Sequence, residues 1–274
     1  MPINEEGRLR FLRRNHDAPR RRFRRGVYLL PSLLTMGNMF CGYASIVYAM
    51  RHDFELAALF IGFGIVLDML DGRVARLTGA TSDFGLQFDS LADVISFGLA
   101  PAVLSLEWGL RPLGRLGWAV GFLFVAAAAM RLARFNIQSA AGGDKRYFVG
   151  MPSPAAAAVP AATVYALPWG VGDYRAALPA LVMVFVPAVL MVSTIRFRSF
   201  KTIDLQSRRP YTVLLLIAGA IVLIATHPRL VLVVLAYSYL VSAIVGLVVT
   251  RFRHRGGRMP VETAGERPRD TAAR

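Results

Sequence analysis

The chain has 274 residues, 55% of them hydrophobic and 18% charged, with a mean hydropathy of +0.48 and a net charge of +15. Apolar content at this level excludes an ordinary soluble domain and points to a membrane protein. Such basicity in a soluble protein suggests nucleic acid, but here the arginines lie mostly in end segments and short loops, so the anionic membrane surface is the expected partner and nucleic acid is not.

Residues 1–27 hold nine arginines, including the run Arg20-Arg21-Arg22-Phe23-Arg24-Arg25. They read as a basic arm, disordered or lying along lipid headgroups, and not as a signal peptide, because the apolar run that follows is too long for one. About eight apolar segments come next, near 29–50, 54–78, 86–107, 113–138, 154–171, 176–195, 211–226 and 229–250, each close to the ~20 residues needed to span a bilayer. The fold class expected is thus an all-α polytopic membrane protein. The first segment carries the chain's one cysteine, Cys41, which excludes an intrachain disulfide and reads as a packing residue. A membrane domain over 28–252 and a polar, disordered tail over 253–274 complete the organisation.

Charge bias sets the expected orientation. If the arm is cytoplasmic, so are the loops 79–85, 139–153 (Lys145, Arg146) and 196–210 (Arg196, Arg198, Lys201, Arg208, Arg209), and the tail with Arg251, Arg253, Arg255 and Arg258. The opposite loops hold only scattered charge, at Arg51, Arg111, Arg115, Arg175 and Arg229. Both termini therefore read as cytoplasmic, in a cell (inner) membrane.

The second and third segments are interrupted by acid. Asp68, Asp71, Asp89 and Asp93 sit inside strongly apolar flanks. One carboxylate at the centre of a membrane helix costs roughly 2.5 kcal/mol or more, so four left unpaired would rival the stability of a typical domain. A divalent cation is the simplest compensation. The separations of three and four residues put each pair on one helix face. Gly72, Ala75 and Arg76 fall on or beside the first face, and Gly85 lies one turn before Asp89, so a ligand can approach the backbone closely. Oxygen ligands of this kind suit Mg²⁺, Mn²⁺ or Ca²⁺ rather than zinc or copper. Asp83, in the loop between the pairs, reads as a solvated or capping residue.

The whole pattern is D-x2-D-G-x2-A-R-x8-G-x3-D-x3-D, filled by Asp68, Asp71, Gly72, Ala75, Arg76, Gly85, Asp89 and Asp93. It resembles the signature of the CDP-alcohol phosphatidyltransferase family, and eight fixed identities make it far more specific than a lone glycine motif. The resemblance implies two Mg²⁺ or Mn²⁺ ions bridging the diphosphate of a CDP-linked lipid, with Asp68, Asp71 and Asp89 as ligands. Asp93 would be the general base and a further ligand. Gly72, Ala75, Arg76 and Gly85 would line the nucleotide pocket, together with Ser82 and with Pro31, Thr35 and Asn38 of the first segment. Bland alternatives stand beside these roles: a snorkelling Arg76, a loop-bonding Ser82, and packing roles for Thr35 and Asn38.

Further stretches are similar to the serine-using bacterial branch of that family: residues 32–46, 88–102, 131–136, 147–157 and 193–201. They imply CDP-diacylglycerol as donor, L-serine as acceptor and a homodimer. Val149 departs from the polar or basic residue expected before Gly150, which weakens a phosphate- or acceptor-binding role there. Arg131 and Arg134 are open to three roles: pairing with the aspartates, holding the acceptor carboxylate, or binding a lipid phosphate. Arg196, Arg198 and Lys201 read as cytoplasmic anchors or headgroup ligands. Two rival readings remain: the same chemistry on glycerol 3-phosphate, inositol phosphate or choline, and a cation or proton transporter using the acids as a relay.

Overall fold

The structure, a computed structural model, describes residues 29–79, 82–140, 147–193, 196–198, 218, 222–223 and 225–255. The basic arm, most of the segment 211–226, Lys201 and the tail from 256 lie outside the described residues.

Seven helices carry the described chain. Helix α1 (Leu29–Met50) has Pro31 in its first turn, where a missing N–H costs nothing. It ends in a tight reversal in which His52 takes φ 61°. Helix α2 (Phe54–Thr78) is capped by Asp53, whose carboxylate accepts from Leu56 N at 3.2 Å, and stops at Gly79 in the left-handed conformation that favours glycine. The third helix, α3, runs as one body from Asp83 to Leu113. It is α-helical to Asp93, π-helical over Val94–Leu99, α-helical over Ala100–Ser105, π-helical again over Leu106–Leu110, and closes in a 3₁₀ turn. Helices α4 (Arg115–Ala140), α5 (Ser153–Ala166), α6 (Tyr174–Val192) and α7 (Pro228–Arg255) complete the bundle.

Five of these are long and apolar enough to cross a membrane: α1, α3, α4, α6 and α7. The expected count of eight is therefore not reproduced. Helix α2 coincides with the segment 54–78 and, at about 37 Å, has the length, but its Glu55, Asp68, Asp71, Arg73 and Arg76 make it too charged to qualify. Helix α5 has 14 residues, or about 21 Å, against a hydrocarbon core of ~30 Å. Of 211–226, the described residues 218, 222, 223, 225 and 226 are helical.

Small residues let the helices approach. Helix α1 lies along α2, α2 also meets α5, α4 packs on α6, and α7 on α5. Ala57, Ala58 and Ile61 of α2, Phe97, Ala100 and Leu104 of α3, and Phe124, Ala127 and Ala128 of α4 are buried in the common core. Gly42 of α1 touches the π-turn of α3 so closely that a Cβ there would sit 2.7 Å from Ser96 Cα. The fold also contains a feature outside the all-α expectation. Tyr147–Val149 (β1) and Arg196–Arg198 (β2) form a two-stranded antiparallel ribbon, pairing Tyr147 with Arg198 and Val149 with Arg196. After β1 the chain turns at Gly150 (φ 85°), where a Cβ would strike the Met191 carbonyl. The ribbon ties the segment before α5 to the segment after α6.

Candidate active site

The C-terminal turns of α2 and the N-terminal turns of α3 meet at one end of the bundle. There Asp68, Asp71 and Asp89 place one carboxylate oxygen each within 4.8 Å of the others. Asp71 is buried, while Asp68 and Asp89 are half-buried. Asp93, one turn beyond Asp89, is buried and is not one of the three; its side chain meets that of Asp68.

Helix α1 supplies the polar lining. Thr35 Oγ1 donates to Asp71 Oδ2 at 3.1 Å and shares that proton with the Pro31 carbonyl, also at 3.1 Å. Asn38 Nδ2 donates to Asp93 Oδ1 at 3.3 Å. Asn38 is fully buried, and its own backbone carbonyl accepts from Ser96 Oγ at 2.9 Å, fixing α1 to the π-turn. Thr35 and Asn38 thus each bond one of the acids from a neighbouring helix. Pro31 reaches the site only through Thr35.

The remaining motif residues surround this floor. Gly72 is half-buried, and a Cβ on it would meet nothing nearer than Arg76 Nη2 at 3.9 Å, so the space above it is open. Ala75 is half-buried. Arg76 is exposed and curls back, its Nε donating to the Gly72 carbonyl at 2.7 Å. Ser82 caps α3 by accepting from Gly85 N at 3.0 Å, which accounts for both residues locally. Asp83, expected in the loop, is instead the exposed first residue of α3, and Ser82 holds the cap.

The acceptor candidates separate. Arg131 of α4 faces the acids: Asp93 and Asp68 both act on its guanidinium, and its Nη1 donates to Ser153 Oγ at 2.7 Å. Arg134 is half-buried one turn further along α4 and makes no described contact with the acids. Arg196 and Arg198 lie on β2, in register with Val149 and Tyr147. Sequence reasoning missed the Arg131–Ser153 bond, because nothing in the spacing joins residues 22 apart on different helices. It also missed Asn136 Nδ2, which donates to Ser90 Oγ at 2.9 Å beside Asp89.

A divalent cation fits the trio by its chemistry. The donors are all carboxylate oxygens, the ligand type of hard cations, and Asp89 Oδ1 is buried without a hydrogen-bond partner among the described residues. An orphaned buried carboxylate oxygen needs a compensating charge.

Two carboxylate pairs on adjacent helices, with small residues and an arginine beside them, sit where apolar helices converge, and the chain belongs to the CDP-alcohol phosphatidyltransferase family, whose model matches residues 28–195. Among characterised proteins it is similar to the CDP-diacylglycerol–serine O-phosphatidyltransferase of Helicobacter pylori, with 43% identity over 182 residues, covering 65% of this chain and 75% of the relative. It is 33% identical over 228 residues to the Mycobacterium leprae protein of the same name (81% of this chain, 76% of the relative). It is also 40% identical over 172 residues to an archaetidylserine synthase of Methanothermobacter thermautotrophicus (61% and 69%).

Proposed function

We propose that the protein transfers the phosphatidyl group of CDP-diacylglycerol to the hydroxyl of L-serine, giving phosphatidylserine and CMP. The convergence of Asp68, Asp71 and Asp89 beside a buried Asp93 carries the reading, and the names of the relatives support serine as acceptor.

Asp68, Asp71 and Asp89 would hold Mg²⁺ or Mn²⁺, with room in the reading for two ions; when bound, the metal neutralises the diphosphate and stabilises the departing CMP. Thr35 fixes the Asp71 carboxylate. Gly72, Ala75 and Arg76 line the open space above the acids, with Ser82 and Gly85 at its loop edge, so these residues seat the CDP moiety. Asn38 orients Asp93. Asp93 takes the proton of the acceptor hydroxyl as that oxygen bonds to the lipid-side phosphorus, and the bond from that phosphorus to the CMP oxygen breaks. Residues 28–252 form the catalytic membrane domain, flanked by the basic arm and the polar tail. Both termini and the site face the cytoplasm of a cell membrane, where nucleotide is available, and the working unit is a homodimer in contact with membrane lipids.

The test is CMP release by purified protein in detergent with CDP-diacylglycerol and Mn²⁺, offered L-serine, glycerol 3-phosphate, inositol phosphate or choline in turn. Release with serine alone is expected. Release with a different alcohol overturns the acceptor but keeps the chemistry. Folded protein that releases CMP with none of them overturns the proposed reaction.

A further inference from the structure

Arg131 is a poor candidate for an interface anchor. It lies two to three turns before the end of α4, half-buried, and it faces inward. Its Nη1 is held by Ser153, which is fully buried in the first turn of α5. Its Nε is buried and has no hydrogen-bond partner among the described residues. The groups that act on it electrostatically are Asp93, Tyr239 of α7 and Asp68, in that order, yet among the described residues no acid lies within ion-pair distance. The guanidinium is therefore positioned by its neighbours but not neutralised by contact, and one donor of its fork is dehydrated and waiting.

A planar fork of this kind matches a carboxylate with two parallel hydrogen bonds. Its place narrows the choice of anion. Asp93 is the proposed base that must meet the acceptor hydroxyl, and its charge acts on Arg131. In a small hydroxy-amino acid the hydroxyl and the carboxylate are near neighbours, so a molecule that gives its hydroxyl to Asp93 brings its carboxylate toward Arg131. The donor's phosphates belong at the acid trio instead. We infer that Arg131, held by Ser153 and flanked by Tyr239, receives the carboxylate of the acceptor amino acid. Tyr239 lies beyond residue 195, where the family match ends, so the last helix enters acceptor selection as a positioning element. The inference rests on the proposed reaction with serine.

The experiment compares L-serine with serinol, in which an uncharged hydroxymethyl group replaces the carboxylate, as acceptors for the full-length enzyme in detergent. Wild-type protein is expected to favour serine strongly. Arg131→Gln is expected to raise KM for serine by about 100-fold, the scale of a lost charge-assisted pair, with KM for CDP-diacylglycerol unchanged and use of serinol retained, so that the preference collapses. Arg131→Lys keeps the charge without the fork and recovers part of the preference; Tyr239→Phe raises KM for serine several-fold. Equal losses with both acceptors, or a raised KM for CDP-diacylglycerol in place of serine, overturn the inference. If Arg131→Gln does not fold, an unchanged serine-to-serinol ratio in both milder variants overturns it. A wild-type enzyme that uses neither serine nor serinol but does use another alcohol defeats the acceptor reading beneath it, which is a different result.

Discussion

Asn38 holds Asp93 by one amide hydrogen bond and has a glycine over its other end: a Cβ at Gly64 would sit 3.0 Å from Asn38 Oδ1. The Asp93 carboxylate is therefore held from α1. Asp93→Asn removes the proton acceptor while keeping the shape, so turnover should fall by roughly 10²–10⁴-fold. Binding of CDP-diacylglycerol in the presence of Mn²⁺ should survive; full activity in the variant would remove Asp93 from the role. Thr35→Val tests a different dependence. It deletes the hydroxyl on Asp71 Oδ2 at nearly constant volume, and loss of such a supporting bond weakens metal affinity by about 10–100-fold. A Mn²⁺ titration of activity should show that shift with little change in the saturated rate, and an unmoved titration would show that Thr35 only packs. At this scale the acids were legible in the sequence because charge in an apolar run is expensive and their spacing is helical. The family resemblance set Thr35 and Asn38 at the nucleotide pocket and did not pair them with the acids. Which acid each one serves depends on how α1 is rotated against α2 and α3, and spacing within one helix carries no such information.

The element that shapes the site is α3, whose first π-turn follows Asp93 directly. A π-turn adds a residue to the helical circuit and changes which side chains face inward beyond it. Here Asp89 and Asp93 point to the acid cluster, while Phe97 and Leu104 are wholly buried in the core. The widened turn is clamped from two sides, by Gly42 of α1 against Ser96 and by Gly98 against Ala128 of α4, where a Cβ at Gly98 would be 3.2 Å from Ala128 Cβ. Gly42→Val has no space, since even its Cβ would lie 2.6 Å from Ser96 Oγ and 2.7 Å from Ser96 Cα. The expected cost is about 1–3 kcal/mol of overpacking, read as a lower Tm in detergent, with activity lost along with it because Asp93 shifts against Asn38. A Tm equal to wild type would mean that α1 and the π-turn do not touch in the working enzyme. Hydropathy located α1 and α2 to the residue, because each apolar run ends at turn-forming residues, Arg51-His52-Asp53 and Gly79. The π-turns were not legible, since they arise from contacts with α1 and α4. The β1–β2 ribbon escaped for a related reason: strands of three residues have too few positions to show alternation, and their pairing joins segments almost fifty residues apart.

For the whole molecule, both ends of the bundle are built differently and the difference predicts an orientation. The acid trio, the turn at Gly79, the Arg131–Ser153 bond and the ribbon gather at one end. The opposite end is closed by Arg229 of α7, which pairs with Glu55 of α2 at 2.7 Å and lies over the Tyr165 ring of α5 at 5.6 Å, and by Trp108 Nε1 donating to the Leu167 carbonyl at 2.7 Å. No acid cluster of the kind that could bind a metal is found there among the described residues. The proposed orientation sets the first end on the cytoplasmic side, the side that the positive-inside bias of the sequence favours. The chain's lone cysteine makes this measurable. Cys41 is buried at 7% exposure and should stay silent to a membrane-impermeant maleimide. Asp83→Cys places a thiol at an exposed position beside the site, and Gly172→Cys places one at the far end, where an added side chain meets nothing within 4 Å. In intact cells the reagent should label position 172 and not 83, and inside-out vesicles should reverse the pattern. The opposite result would set the acids on the side without nucleotide, and the charge bias would then have to be explained by lipid attraction alone.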